Sequence, residues 1–219
     1  MAKNIHRTLF IGNSFTARND LPGLLAKLTA AGDKGALEHE LISVNGAPLR
    51  THLNKGEALR RMRASHWDYV VLQEQSTLPV KNPVRTAENI RDFDAEIKSS
   101  GARTVLYMTW ARQNAPDNQA VLSETYTQVG HELSAVVVPV GLAWQHCLAA
   151  SPEIVLHDKD QSHPNLAGSY LAACTFYATL FMGRSRSIPE IDIALATDAV
   201  YALHSSALET VRAYKKKGQ

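Results

Sequence analysis

Two segments far apart in the chain carry side chains that together could move an acyl group. Ser14 stands in Gly12-Asn13-Ser14-Phe15-Thr16, just past the apolar run Thr8-Leu9-Phe10-Ile11. A serine hydroxyl is a weak nucleophile until a base takes its proton. Asp160-Gln161-Ser162-His163-Pro164 offers that base. A carboxylate three residues ahead of a histidine reaches its Nδ1 within one turn. That bond fixes the tautomer, leaves Nε2 free for a hydroxyl and stabilises the imidazolium. Each feature alone has a plainer reading. Serines cap helices, and D-x-x-H spacing arises by chance.

Other groups could complete or replace such a site. Gly46 lets a backbone N–H approach a substrate closely, and the Gln75 amide can donate to a developing oxyanion, but the first also reads as a simple Asn-Gly turn and the second as a loop cap. Trp110 and Arg112 are candidates for lining a substrate pocket, with packing and surface roles equally open. Glu74 reads as a solvated or salt-bridged loop charge. His146 and His204 lie in helical patterns and read as structural. His157, Asp158, Asp160 and His163 have the side-chain types of a divalent-metal site. They crowd one loop, and no second cluster such as H-E-x-x-H completes it. The Gly12–Thr16 loop is also a place where a flavin phosphate could sit, although neither a G-x-G-x-x-G nor a P-loop is present.

The surrounding chain explains how these segments could meet. Short β-rich runs alternate with amphipathic stretches, the pattern of a parallel sheet covered by helices. The strands are expected at Thr8–Ile11, Glu38–Val44, Tyr69–Leu72, Thr104–Met108 and Ala135–Val140. Helices are expected over Leu21–Ala31, His52–Ser65, Asn89–Ser100, Gln119–Leu133, Leu142–Ala150, Asn165–Phe181 and Ile193–Tyr214. The expected fold is α/β, a three-layer α/β/α sandwich on a five-stranded parallel sheet with flavodoxin-like topology, spanning residues 1–219 as one domain. Ligands of such sheets bind outside the carboxyl ends of the strands. The loops holding Ser14, Gly46, Gln75 and Trp110 all follow strands, so they share that edge.

Bulk properties narrow the partners. The chain has 219 residues, with 45% hydrophobic and 20% charged residues, an ordinary globular balance. A net charge of +2 argues against nucleic acid, and the basic run Lys215-Lys216-Lys217 reads as a solvated tail. No run of about 18 apolar residues suggests a membrane span. The polar start Met1-Ala2-Lys3-Asn4-Ile5-His6-Arg7 does not look like a signal peptide, so a cytoplasmic location is expected. Cys147 and Cys174 sit in apolar helical patterns and read as buried thiols, a single disulfide being the alternative.

In block order, the chain resembles the SGNH or GDSL-type hydrolases. Leu9-Phe10-Ile11-Gly12-Asn13-Ser14-Phe15-Thr16 is similar to the family's first block, with Asn13 in place of the usual aspartate. Gly46 matches the second-block glycine, and Asp160-Gln161-Ser162-His163-Pro164 resembles the closing D-x-x-H-P. The third block normally reads Gly-x-Asn-Asp. Here it is Gln73-Glu74-Gln75-Ser76, which puts Gln75 where the oxyanion asparagine stands. The resemblance implies an esterase acting on a small-molecule ester. A small acyl group, such as acetyl on a carbohydrate, is expected because no long apolar lid segment appears near the site. Ser14 would be the nucleophile, His163 the base and Asp160 its orienting partner, with an oxyanion hole from Ser14, Gly46 and Gln75. It implies no metal and no organic cofactor. The absence of a G-x-S-x-G elbow separates the chain from the α/β-hydrolases. A metal-dependent hydrolase built on the His157–His163 loop, a non-catalytic flavodoxin-like binding protein and a hydrolase fold that has lost activity are the rival expectations.

Overall fold

The computed structural model describes residues 5–183, 185–216 and 218. Met1 to Asn4 of the polar start and Lys217 of the basic run lie outside the described residues. Five strands form one sheet: β1 (Ile5–Gly12), β2 (Ala36–Ser43), β3 (Tyr69–Leu72), β4 (Arg103–Tyr107) and β5 (Val136–Val138). Their order is β2-β1-β3-β4-β5, and every neighbouring pair is parallel. The carboxyl ends therefore share one edge, and the order reverses between β1 and β3. That reversal opens the crevice in which open α/β sheets bind ligands.

Along β1, alternate residues face opposite layers, as strand geometry requires. Phe10 joins a core with α2 (Leu21–Ala31), α8 (Val140–Ala150), α9 (Leu166–Leu180) and α10 (Thr197–Lys216). Leu9 and Ile11 join the other core, with α3 (Leu49–Lys55), α4 (Glu57–Ala64), α6 (Pro83–Ser99) and α7 (Asn118–Leu133). Among the described residues there are also two four-residue helices, α1 (Ser14–Ala17) and α5 (Leu78–Lys81), and a 3-10 turn at Arg18–Asp20. Helix α9 is buried on all sides from Ala167 to Ala178 because α2, α8 and α10 all pack on it. A helix apolar all round belongs in such a place. Cys174, on this helix, and Cys147, on α8, are buried free thiols.

The predicted elements differ from the observed ones where apolar periodicity was the wrong guide. The helix expected over His52–Ser65 is two helices, because Gly56 adopts φ +69° and ends α3 with its N–H on the His52 and Leu53 carbonyls. A left-handed glycine is the usual helix stop. Helix α6 starts at Pro83 rather than Asn89. Its first turn rests on proline and on the Asn82 side chain, which accepts from Arg85 N–H, and it buries little apolar surface. Helix α10 starts at Thr197 and continues through the exposed Lys215 and Lys216, so these lysines belong to a helix rather than a tail. Among the described residues, no helix is long and apolar enough to cross a membrane.

Candidate active site

Ser14 is the first residue of α1, directly after β1. Asn13 caps that helix: its side-chain oxygen accepts from Phe15 N–H at 3.1 Å, and its Nδ2 donates to the Ala47 carbonyl at 3.1 Å. One residue thus fixes the serine turn and ties it to the loop after β2. Its own N–H donates to Gln73 Oε1 at 2.8 Å, which ties the same turn to the end of β3. With Asn13, Phe15 and Thr16 N–H all committed to protein acceptors, the turn keeps few donors for a phosphate.

The histidine arrives from the other end of the chain. The loop between α8 and α9 folds back on itself through an antiparallel bridge between His157 and Pro164 and a 2.7 Å bond from Asp158 N–H to the His163 carbonyl. It reaches the sheet edge after a helix rather than directly off β5. Ser14 Oγ lies 2.8 Å from His163 Nε2, and His163 Nδ1 lies 2.5 Å from Asp160 Oδ2. Asp160 Oδ1 also accepts from the Ser162 and His163 N–H groups at 3.0 and 2.9 Å. The His163 ring and these two amides hold the Asp160 carboxyl well below the usual carboxylate range, although the group is exposed. It is therefore ionised at any pH where the imidazole works, and it fixes the tautomer that leaves Nε2 facing the hydroxyl.

Two further ties hold the serine turn to the histidine loop. Arg18 Nη1 donates to Asp158 Oδ2 at 2.7 Å, and Asn19 Nδ2 donates to the Pro164 carbonyl at 3.2 Å. Asn19 and Asp20 both have positive φ, 56° and 52°, so the chain turns sharply between α1 and α2. Neither Arg18 nor Asn19 stands out in the sequence. A short polar residue following a candidate nucleophile turn was the only available hint.

Ser14, Ala17, Arg18, Asn45, Gly46 and His163 line an open cleft of about 640 Å³. Gly46 has φ +65°, and a Cβ built on it would meet nothing within 4 Å. Backbone conformation, not crowding, favours glycine there. Ser14 N–H opens a helix, where first-turn amides lack an intrahelical acceptor. At the end of β3, Gln75 Oε1 accepts from Thr77 N–H, Thr77 Oγ1 and Leu78 N–H at 2.9–3.0 Å. Three donors on the oxygen decide which end of the amide is which and turn Nε2 away from them.

Trp110 is 1% exposed and does not face the cleft. Its ring lies between Phe15 (centroids 4.8 Å) and Trp144 (3.8 Å, nearly parallel), and its Nε1 donates to the Ser162 carbonyl at 3.0 Å. It holds the residue beside His163. Phe15 in turn lies against the His163 ring at 5.3 Å. Arg112 is exposed and borders a separate cavity of about 170 Å³ beside Trp144 and His157.

Glu74, expected to be a solvated or salt-bridged loop charge, is fully buried and has N–H donors in place of water. The metal-type residues are dispersed. His157 is buried with Nε2 on the Ala111 carbonyl, Asp158 pairs with Arg18, and Asp160 and His163 face each other. Among the described residues no three His, Cys, Asp or Glu side chains group as a metal site. His204 is buried against the Tyr170 hydroxyl at 2.8 Å, and His146 pairs with Glu209 at 3.3 Å.

No protein-family profile matches the chain, and no curated protein matches it in sequence. Solved structures do. A protein from Slackia heliotrinireducens described as a candidate SGNH hydrolase superposes with TM-score 0.72 at 28% identity, over 81% of this chain and all of that one. A DUF4886 family protein from Bacteroides uniformis gives TM-score 0.73 at 15% identity, over 95% of each chain. An acetyl-xylooligosaccharide esterase from Geobacillus gives 0.65 at 14% identity, over 82% of this chain and 95% of that one. The five-stranded parallel sheet with helices on both faces is the SGNH-hydrolase fold, as the sequence blocks suggested. The resemblance to SGNH/GDSL-type hydrolases thus extends from the motifs to the whole architecture.

Proposed function

We propose that this chain is a serine carboxylic-ester hydrolase of the SGNH/GDSL type that releases small acyl groups. The observation that carries the reading is the hydrogen-bonded line Asp160–His163–Ser14, which ends at an open cleft. Ser14 Oγ attacks the ester carbonyl carbon while His163 Nε2 takes its proton, and Asp160 stabilises the imidazolium. The carbonyl oxygen gathers negative charge and is met by the Ser14 and Gly46 N–H groups and the Gln75 amide. When the intermediate collapses, the C–O bond to the alcohol breaks and His163 returns the proton to the leaving oxygen. Water, deprotonated by His163, then cleaves acyl-Ser14 and frees the acid.

A small acyl group on a polar alcohol suits the cleft. Arg18 and Asn45 offer hydroxyl partners there. Among structural neighbours, the Geobacillus protein is an acetyl-xylooligosaccharide esterase, which favours acetyl on carbohydrate as the first substrate to try. The test is hydrolysis of p-nitrophenyl acetate, p-nitrophenyl decanoate and a peracetylated sugar by wild type and Ser14→Ala, all with chelator present. Wild type is expected to turn over acetyl esters fastest and the variant to lose at least about 1,000-fold. Equal activity of the two proteins removes Ser14 from the mechanism, and faster turnover of the decanoate removes the small-acyl assignment.

A further inference from the structure

Glu74 directly precedes Gln75 and is fully buried, with partners on α3, α6 and α7. Burying an ionised carboxylate costs several kcal/mol unless donors surround it. Here Oε1 accepts from Leu49 N–H at 3.0 Å and from Gln75 N–H at 2.7 Å, while Oε2 accepts from Asn89 Nδ2 at 2.8 Å. Arg50 acts through Asn89: its Nε donates to Asn89 Oδ1 at 2.9 Å and its Nη2 to Asp92 at 2.7 Å. Burial raises the Glu74 carboxyl above its ordinary value, against the pull of Asn89, Gln75, Leu49 and Arg50. The fold keeps an awkward group in place, and its two shared N–H partners belong to different loops.

Asn13 joins each of those loops to the serine turn, through the Ala47 carbonyl and Gln73 Oε1, but not directly to one another. Leu49 opens α3 directly after the Gly46 loop that follows β2, and Gln75 follows β3. In the sheet β1 stands between β2 and β3, so no ladder hydrogen bond joins them. Both loops nevertheless have to present donors to one oxygen, within a few tenths of an ångström, for an oxyanion hole to work. A single carboxylate oxygen that takes both N–H groups sets the distance directly.

We propose that Glu74 is a positioning residue for oxyanion stabilisation: its carboxylate clamps the Gly46–Leu49 loop to the Gln75 turn. The inference rests on the serine-esterase reading above. It requires a carboxylate because only that group accepts at both ends. In Glu74→Gln the introduced amide can keep its oxygen on Leu49 and Gln75, but its NH₂ then meets the NH₂ of Asn89, whose own oxygen is held by Arg50. Adding Asn89→Asp supplies the missing acceptor and exchanges the roles of the two side chains.

The test measures kcat and KM on p-nitrophenyl acetate, together with amide hydrogen exchange at Leu49 and Gln75, in wild type, Glu74→Gln and Glu74→Gln/Asn89→Asp. In the single variant kcat is expected to fall about 10- to 100-fold, less than for loss of a donor itself, with KM changed less than about 3-fold. Exchange at both amides should quicken, and the double variant should recover most of kcat and of the protection. A lower Tm with kcat and both exchange rates unchanged would overturn the clamp. So would a double variant no better than the single one. Exchange reads the clamp without turnover. A wild-type protein inactive on esters would therefore sink the esterase reading, and the clamp would still be judged on the two amides.

Discussion

Replacing Trp110 with phenylalanine separates a residue that lines a pocket from one that holds the loop carrying His163. The substitution deletes the indole N–H that donates to the Ser162 carbonyl and shortens a ring stacked between Phe15 and Trp144. A buried carbonyl left without its donor costs about 1–3 kcal/mol. Weakening the stack adds about 0.5–1.5 kcal/mol. Together they amount to roughly 2–4 kcal/mol, which for a chain of this size lowers Tm by about 5–15 °C. The orphaned carbonyl lies one residue from His163, and Phe15 still presses on that ring, so the imidazole loses alignment on one side only. Misplacement of this kind costs about 10- to 100-fold in kcat. Assayed on p-nitrophenyl acetate well below its Tm, Trp110→Phe should keep KM within about 3-fold of wild type while kcat falls. A raised KM with kcat unchanged would refute the positioning argument and return Trp110 to the substrate pocket.

Other perturbations report on separate parts of the site. Gln75→Ala should lower kcat by about 10- to 1,000-fold if its Nε2 meets the oxyanion, and an unchanged rate would strike it from the site. Acidification should weaken the fold. His52, His157 and His204 are held below their ordinary value of 6.5, chiefly by burial. Between that value and the lowered ones, the unfolded chain binds protons that the folded chain refuses. The free energy of unfolding should then fall as pH drops below about 6.5 and level off once the folded rings are also protonated. A Tm measured from pH 7.5 to 5.0 tests this, and a flat profile would contradict it.

The strand pattern and the residues of the candidate site were legible in the sequence; the contacts that hold those residues in place were not. Ser14 could be found because a strand ends just before it. Asp160 and His163 could be found because their bond closes within one turn and needs nothing from the rest of the fold. The strands β1, β3 and β4 read clearly because a sheet covered on both faces demands short apolar runs. Glu74 read as a solvated or salt-bridged loop charge because sequence gives a side chain's type but not its burial, and two of its donors, Leu49 and Asn89, lie 25 and 15 residues away. Trp110 was ambiguous for the same reason: its stacking partners lie on α1 and α8. Arg18 and Asn19 reach partners some 140 residues away, beyond any local pattern. The break at Gly56 was hidden by apolar residues whose spacing continues past it on both sides.

The most direct test of the central claim is covalent. A fluorophosphonate should modify the folded protein once, with the adduct mapped by mass spectrometry to the peptide carrying Ser14. His163→Ala should slow that modification by orders of magnitude, because the base is gone. Labelling at Ser14 that depends on His163 is the result the account predicts. No labelling of wild type, or labelling equally fast without His163, would contradict it.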